Sequence, residues 1–404
     1  MKWIEGGVCA ASGFLASGVH CGIRKNKSKK DLALIVSKTK AAAASIYTQN
    51  LVKGAPIYVT KENLSDGYAQ AIICNSGNAN TCNADGIAIA KGMCDLVAKH
   101  LPISADDVIV ASTGVIGQPL SLVPMADHMD ALVKELSIHG EAAAAQAIMT
   151  TDTIKKEAAV SFDIGGHTCH LGGMAKGSGM VHPNMATMLV FLTTDAAISP
   201  KMLQKALRDD AQDTFHMISV DGDTSTNDMV SILANGQAGN EIISSVGEAY
   251  DVFCRALNAV TQKLCKAIAK DGEGATKLIA CTACGANDKE TARKVSKSII
   301  CSSLLKSAMF GADANWGRVL CAIGYCGAAV DTSKIDVSFA SSAGSITVCK
   351  SGAGIPFSEV HAKEILLKDE VIIQVDLNDG SETATAWGCD LTYDYVKING
   401  DYRT

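Results

Sequence analysis

The stretch of residues 175–196, AKGSGMVHPNMATMLVFLTTDA, constrains the fold most because it joins a Gly-rich turn to a strongly apolar run. The apolar run predicts a buried strand that begins near Thr187. Threonine is a good strand residue, which is one explanation for its presence there. The second explanation is chemical: Thr187 follows Ala186, the smallest chiral residue, and the bond between them is a candidate for self-cleavage.

The overall composition indicates a soluble, cytoplasmic protein. The 404 residues are 48% hydrophobic, enough for one large core or two domains. No window reaches the roughly 18 to 20 unbroken apolar residues of a membrane span. The N-terminal sequence MKWIEGGVCAASGF has an acid and two glycines where a signal peptide needs an apolar run.

The charge distribution argues against a nucleic-acid partner. The net charge is −6, and the densest basic run is RKNKSKK, residues 24–30. So short a run is more typical of a solvated loop than of a surface that follows phosphates. Aromatic residues make up only 5% of the chain, which also disfavours base stacking.

The fifteen cysteines predict buried free thiols in a reducing compartment. Their odd number and the length of the chain disfavour a secreted disulfide scaffold. Cys281 and Cys284 form the one C-x-x-C pair, and HTCH at residues 167–170 also lacks a partner motif, so we expect no metal and no cofactor. A cysteine-rich metal-binding or interaction protein remains the alternative of a different class, and stoichiometric zinc would identify it.

Strand and helix patterns occur in blocks rather than in strict alternation, which predicts an α+β fold with layers over a doubly wound sheet. Gly165-Gly166 predicts a hairpin turn, and Ser199-Pro200 predicts a helix start. One helix is expected to end near Gly272, and the terminal DLTYDYVKINGDYRT alternates as a strand does. Further strands are predicted within 31–37, 41–50, 69–77 and 277–284, and further helices within 85–101 and 288–310.

The sharper interpretation of Thr187 rests on known acyl chemistry. Its hydroxyl can attack the carbonyl of Ala186 and form an ester, which water then cleaves. The new chain would begin with Thr187, whose α-amine has a pKa near ~7.7 to 8 and can act as a base. Ala186 adds little bulk on the acyl side, and Pro183 favours extended backbone at His182.

Many short motifs resemble those of the ornithine acetyltransferase family, the ArgJ proteins of arginine biosynthesis. The resemblance extends over nearly the whole chain, and the motifs follow in family order. They are GGVCAASGF, GVHCGIRK, CNSGNANTC, ASTGVIG, KGSGMVHPNMATML, SVDGDTSTND, FGADANWGRV and KINGDYRT.

The resemblance implies a fold of layered sheets and helices, as in ornithine acetyltransferases and DmpA-like proteins, with an N-terminal threonine nucleophile. It implies cleavage between Ala186 and Thr187 into an α chain, 1–186, and a β chain, 187–404, assembled as two of each. Thr187 would take the acetyl group from N-acetyl-L-ornithine and pass it to L-glutamate by a ping-pong route. Many family members also accept acetyl-CoA as donor, and others do not.

The same resemblance assigns further site residues, each of which taken alone has an ordinary structural explanation. Thr113 and Gly114 would form the oxyanion hole, where a strand turns and N–H groups are free. The substrate-binding residues implied by the family are Thr150, Lys176, Thr187, Glu273, Asn399 and Thr404. Glu273 is expected to meet the ammonium end of ornithine. An autocleaving aminopeptidase on the related fold, with the same nucleophile, is the alternative enzyme.

Overall fold

The computed structural model describes residues 1–182 and 188–400. The predictions for Ala186, Thr187 and Thr404 therefore lie outside the described residues.

Two mixed β-sheets form the frame of the described chain, and the first contains nine strands in those residues. Their order is β1-β6-β7-β8-β10-β3-β4-β5, with β2 paired to β3 outside this path. The strands are β1 (Lys2–Ile4), β2 (Phe14–Val19), β3 (Leu32–Tyr47), β4 (Tyr68–Asn78), β5 (Val108–Val115), β6 (Lys156–Ile164), β7 (His167–Lys176), β8 (Leu189–Thr194) and β10 (Met229–Ala234).

The second sheet follows the order β14-β13-β12-β15-β11-β16-β9. Its strands are β9 (Ile218–Ser219), β11 (Leu278–Ala286), β12 (Asp336–Ser341), β13 (Gly344–Lys350), β14 (Ala353–Gly354), β15 (Glu370–Asp376) and β16 (Glu382–Cys389). The helices are α1 (Ala55–Asn63), α2 (Gly86–His100), α3 (Val123–Lys134), α4 (Glu141–Ile148), α5 (Pro200–Ala211), α6 (Glu248–Lys270), α7 (Lys289–Cys301), α8 (Ser303–Phe310), α9 (Trp316–Gly324), α10 (Glu359–Leu366) and α11 (Tyr393–Asn399).

The long strand β3 joins two halves of the first sheet, one formed with β2, β4 and β5 and the other formed with β1, β6, β7, β8 and β10. Its first part pairs with β2 and β4, and its last six residues pair with β10. The register with β4 shifts between Val36 and Ala41, and residues 38–40 are exposed. Side chains from both halves, among them Ile35, Ile72 and Phe191, share one buried core. The two halves therefore pack face to face.

Helices cover the outer faces of this sandwich. The apolar sides of α2 and α3 pack on the half that contains β4 and β5. The apolar side of α6 contacts β6 and β7 and also β16 and β11 of the second sheet. Its buried side chains follow helical spacing, as predicted: Phe253, Leu257, Val260, Leu264 and Ile268. One large core thus joins the two sheets through α6.

Local signals in the sequence predicted several turns and caps correctly. Gly165 and Gly166 have φ angles of 60° and 83° and connect β6 to β7, as a two-residue hairpin turn requires. The Ser199 side chain accepts a hydrogen bond from the Met202 N–H at the start of α5, which begins with Pro200. The expected α+β class, with layered sheets and helices, is confirmed.

Three local expectations were wrong. Most neighbouring strands are antiparallel in both sheets, so neither is a doubly wound parallel sheet. The predicted helix over 288–310 breaks at Ser302, whose extended backbone ends α7 and whose side chain caps α8. Helix α6 does end as expected, at Lys270 and just before Gly272, and the left-handed glycine that follows is Gly274, φ 68°.

The chain end is the third expectation that was wrong, because α11 is a helix and not a strand. Thr392 caps it by accepting a hydrogen bond from the Tyr395 N–H at 3.3 Å. The Thr392 hydroxyl also donates to the Gly274 carbonyl at 2.7 Å. Leu391, Tyr393 and Tyr395 alternate with polar residues as in a strand, but the segment forms a capped helix that packs on the loop after α6.

All fifteen cysteines are free thiols, and most are buried or half-buried. Burial raises the pKa of the Cys94 thiol to about 12. Cys82 and Cys321 are exposed. No helix in residues 1–182 or 188–400 is long and apolar enough to cross a membrane.

Candidate active site

The first wall of the site is the close approach of two strand ends, β4 and β5. Gly114 has a φ angle of +133° and pairs with Gly77. A Cβ at Gly114 would lie 2.2 Å from the carbonyl carbon of Gly77, and this distance is too short for any residue other than glycine. Glycine at this position therefore brings the backbone of Thr113 and Gly114 against the end of β4.

Buried amide side chains fix the geometry of this wall. Asn75 accepts from the Ser112 hydroxyl at 2.5 Å and donates to the Asn78 carbonyl at 2.9 Å. The side-chain amide of Asn227 donates to the carbonyls of Ala79, at 2.5 Å, and Ser112, at 3.0 Å. A buried carbonyl without a partner is costly, so these amides stabilise one backbone conformation next to Thr113.

A buried ion triad holds the loop that carries Thr150. Lys156 is 1% exposed, and its Nζ lies 2.7 Å from Asp152 Oδ1 and 2.6 Å from Asp271 Oδ2. The same Asp152 side chain accepts from the Gly177 N–H at 2.7 Å and the Thr150 N–H at 3.0 Å. The triad thus connects the loop before β6, the turn after β7 and the end of α6.

Asp152 remains a carboxylate in this environment. Burial by itself would raise its pKa, but the charges of Lys176 and Lys156 and the hydrogen bonds from Gly177 and Lys156 outweigh that effect. The net result lowers the pKa of Asp152 to about 2. Lys176, the last residue of β7, is itself buried, so its ammonium group is a fixed positive charge beside the turn.

Glu273 and Asn399 form the opposite wall. The Asn399 amide donates to Glu273 Oε2 at 2.7 Å, and the Glu273 N–H donates to the Ser178 carbonyl at 2.8 Å. A Cβ at Gly179 would lie 2.3 Å from the Glu273 carboxyl carbon. The small residue at 179 therefore makes room for the buried carboxylate, and helix α11 carries the amide that orients it.

These walls enclose one cavity of about 120 Å³. All six predicted site residues in the described chain line it, namely Thr113, Gly114, Thr150, Lys176, Glu273 and Asn399. Met180 and Met188, on either side of residues 183–187, line it as well. The cavity therefore presents a cation, an anion and hydroxyl groups, a set that complements an α-amino acid.

Sequence reasoning missed one wall, residues 225–228, which also line the cavity. They belong to the motif SVDGDTSTND, for which the sequence predicts no role. Its polar run directly before the apolar strand β10 was the available signal. Asn227 connects this wall to the Thr113 side through the hydrogen bonds given above.

His182, which directly precedes residues 183–187, is neutral near pH 7. Burial lowers its pKa to about 4, the charge of Lys297 adds to the effect, and Asp221 opposes it. Its Nδ1 lies 3.1 Å from Ser219 Oγ and 3.5 Å from Cys301 Sγ. The residue before Pro183 is therefore anchored to the second sheet.

The chain belongs to the ArgJ family: the family model matches residues 15–404. It is 50% identical over 406 residues to the arginine biosynthesis bifunctional protein ArgJ of Symbiobacterium thermophilum, covering 100% of both chains. It is 48% identical over 405 residues to the protein of the same name from Caldanaerobacter subterraneus, again over 100% of both. The crystal structure of the arginine biosynthesis bifunctional protein from Bacillus halodurans is similar with a TM-score of 0.50 and 46% identity, over 53% of this chain and 98% of that one.

The triad makes a stability prediction. Lys156→Ala should lower the free energy of unfolding by about 3 to 5 kcal/mol, because Asp152 and Asp271 would remain buried without their cation. Urea denaturation followed by circular dichroism measures the change. The matched control is Lys155→Ala, whose side chain is 46% exposed and should cost less than about 1 kcal/mol. Equal losses in the two variants would contradict a structural role for the triad.

Proposed function

We propose that this chain is a glutamate N-acetyltransferase of arginine biosynthesis, which moves the acetyl group of N2-acetyl-L-ornithine to L-glutamate. The observation that carries the proposal is the cavity, where residues implied by the family resemblance come together from distant parts of the chain. Full-length similarity to proteins named for arginine biosynthesis supports the same conclusion. No cofactor is needed for this chemistry.

The proposed nucleophile is Thr187, released by cleavage after Ala186. Met188, the next residue, lines the cavity, which supports a reacting group at this point of the chain. The crystallised chain from Bacillus halodurans aligns over 98% of its own length with 53% of this chain, so it is about half as long, as one product of such a cut would be.

The two chains produced by this cut would remain associated. Strand β7 of the proposed α chain pairs with β8 of the proposed β chain, and β10 pairs with β3 of the α chain. Separation would expose the shared core and unpaired strand edges. We therefore infer an α/β unit, and following the family resemblance we assign two of each chain to the assembly.

In the proposed reaction the Thr187 oxygen attacks the acetyl carbonyl of N-acetylornithine. The α-amine of Thr187 takes the hydroxyl proton, and the Thr113 and Gly114 groups stabilise the oxyanion. The C–N bond then breaks, ornithine leaves with the proton, and an acetyl ester remains. The glutamate amine attacks this ester and leaves as N-acetylglutamate, which regenerates the hydroxyl.

Both substrates are α-amino acids, and the walls suggest how each is recognised. Lys176 and Thr150 suit the α-carboxylate, and Glu273, oriented by Asn399, suits the ammonium end of ornithine. Thr404 completes the binding set implied by the family. We also propose acetyl-CoA as a second donor, as the word bifunctional in the relatives' names suggests, and the cytoplasm as location, where fifteen free thiols remain reduced.

The proposal is tested by incubating the purified enzyme with N-acetylornithine and glutamate and measuring ornithine and N-acetylglutamate together. Equal amounts of both products support transfer. Ornithine with free acetate, or cleavage of peptides, would instead identify a hydrolase of the aminopeptidase kind.

The first prediction of this proposal concerns Thr187. Thr187→Ala should remain one chain on a denaturing gel and have no transferase activity, because it lacks the attacking oxygen. The wild type should give two fragments, and N-terminal sequencing of one should begin Thr-Met-Leu-Val. Thr187→Ser keeps a hydroxyl and should still cleave. An uncut wild type with full activity would rule out Thr187 as nucleophile.

The second prediction concerns the oxyanion wall. Thr113→Val preserves the shape of the side chain and removes its hydroxyl, so kcat should fall by up to ~10² to 10³ if that hydroxyl donates to the oxyanion. Steady-state kinetics with N-acetylornithine separate the effects on kcat and KM. A rise in KM alone would instead assign Thr113 to substrate binding.

The third prediction concerns the docked chain end. Asn399→Leu removes the amide that donates to Glu273, and kcat/KM for N-acetylornithine should fall about 5- to 30-fold, corresponding to roughly 1 to 2 kcal/mol. Lys397→Ala, on the same helix and exposed, is the control and should have wild-type kinetics. Self-cleavage should be normal in both variants, because it needs no ornithine pocket. Unchanged kinetics in Asn399→Leu would remove this residue from the site.

A further inference from the structure

A second and larger cavity lies on the other side of the oxyanion wall. Its volume is about 800 Å³, and it lies between the basic loop 22–29 and the loop 115–124. Gly77, Asn78 and Val115, at the ends of β4 and β5, form the part of its lining nearest the active site. The function proposed above leaves this cavity and the basic loop unexplained.

The lining of this cavity is cationic. Arg24, Lys25 and Lys29 contribute to it, and the described residues that line it include no carboxylate. The loop is anchored from below by Asp31, which is fully buried and accepts from the N–H groups of Cys21 and Arg24 at 2.6 and 2.9 Å. The positive charges are therefore presented on a fixed backbone.

Arg24 connects the two cavities. Its guanidinium donates to the carbonyls of Met149, at 2.7 Å, and Thr150, at 3.1 Å, and Thr150 lines the active site. A Cβ at Gly77 would lie 2.8 Å from Arg24 Cγ, so the arginine packs directly on the strand end that faces Gly114. Along the chain, Val115 lines the basic cavity and the next residue, Ile116, lines the active site.

We propose that the basic cavity binds the phosphorylated nucleotide part of acetyl-CoA, the second donor of the proposed function, on which this inference rests. Pyrophosphate and a ribose phosphate carry several negative charges, which Lys and Arg bind well. The long pantetheine arm would pass Val115 and Ile116 to bring the thioester to Thr113 and Gly114. N-acetylornithine has no phosphate and makes no use of this cavity.

The chemical step follows that of the first donor. The Thr187 oxygen attacks the thioester carbonyl, the C–S bond breaks, and the thiolate takes the proton and leaves as free CoA. The resulting acetyl ester is the same intermediate, and glutamate accepts the acetyl group from it. The two donors thus share one reaction centre and differ in how they are bound.

The test compares both donors in one charge-reversed enzyme, Lys25→Glu combined with Lys29→Glu. Both side chains are exposed, so folding should be unaffected, and a thermal melt checks this. KM for acetyl-CoA should rise about tenfold or more, because two attractive contacts become repulsive. KM for N-acetylornithine should change less than about twofold. Lys363→Glu, on the helix α10 that packs on β12 of the second sheet, is the control and should leave both values unchanged.

A second comparison tests which part of the donor is recognised. In the wild type, dephospho-acetyl-CoA and acetyl-pantetheine should have progressively higher KM values than acetyl-CoA, and these differences should shrink in the double variant. Equal KM increases for both donors, or none for acetyl-CoA, would overturn the inference. So would a wild type that uses N-acetylornithine but not acetyl-CoA, whereas an enzyme inactive with N-acetylornithine would contradict the proposed function itself.

Discussion

The buried ammonium group of Lys156, between Asp152 and Asp271, is the interaction on which the site depends. Removing three charges from water is costly, and the cost is recovered only when their geometry and remaining hydrogen bonds are satisfied. Here the two carboxylates also accept backbone N–H groups from Thr150 and Gly177 on one side and from Thr153 on the other. The triad therefore fixes the positions from which Thr150, Lys176 and Glu273 reach the cavity.

The first sheet explains how the proposed cut is compatible with a stable fold. β8 lies between β7, which precedes the cut, and β10, which follows it, and β10 in turn pairs with β3. Two strands of the proposed β chain, β8 and β10, thus lie between strands of the proposed α chain in one sheet, and side chains from both chains, among them Ile35 and Phe191, share a core. A broken peptide bond before β8 changes none of these pairings, so the covalent connection is dispensable once the sheet has formed.

Local sequence signals correctly predicted turns and helix caps whose stability depends only on neighbouring residues. Gly165-Gly166 needs left-handed backbone, and Ser199 needs only the N–H groups of the next turn, so both predictions were confirmed. The helix α11 escaped prediction because its stability comes from docking through Thr392 on Gly274, a contact 118 residues away in sequence. The cavity could not be predicted from residue spacing in the sequence, because Thr113, Lys176 and Glu273 come together only in the folded protein. Motif resemblance selected those three, whereas the wall at 225–228 needed the structure.

Under the proposed function, the buried charges of Lys176 and Glu273 oppose folding and also determine which ligand the cavity binds. Lys176 and Glu273 are both buried, and desolvated charges of this kind destabilise a protein unless opposite charges approach them. Asp152 and Asn399 supply part of that compensation from within the chain. An α-amino acid with a cationic side chain supplies the rest, with its carboxylate toward Lys176 and its ammonium toward Glu273. An analogue that lacks either charge would leave one of these buried groups without an opposite charge, so the protein discriminates against it through the same desolvation free energy that opposes burial of the two groups.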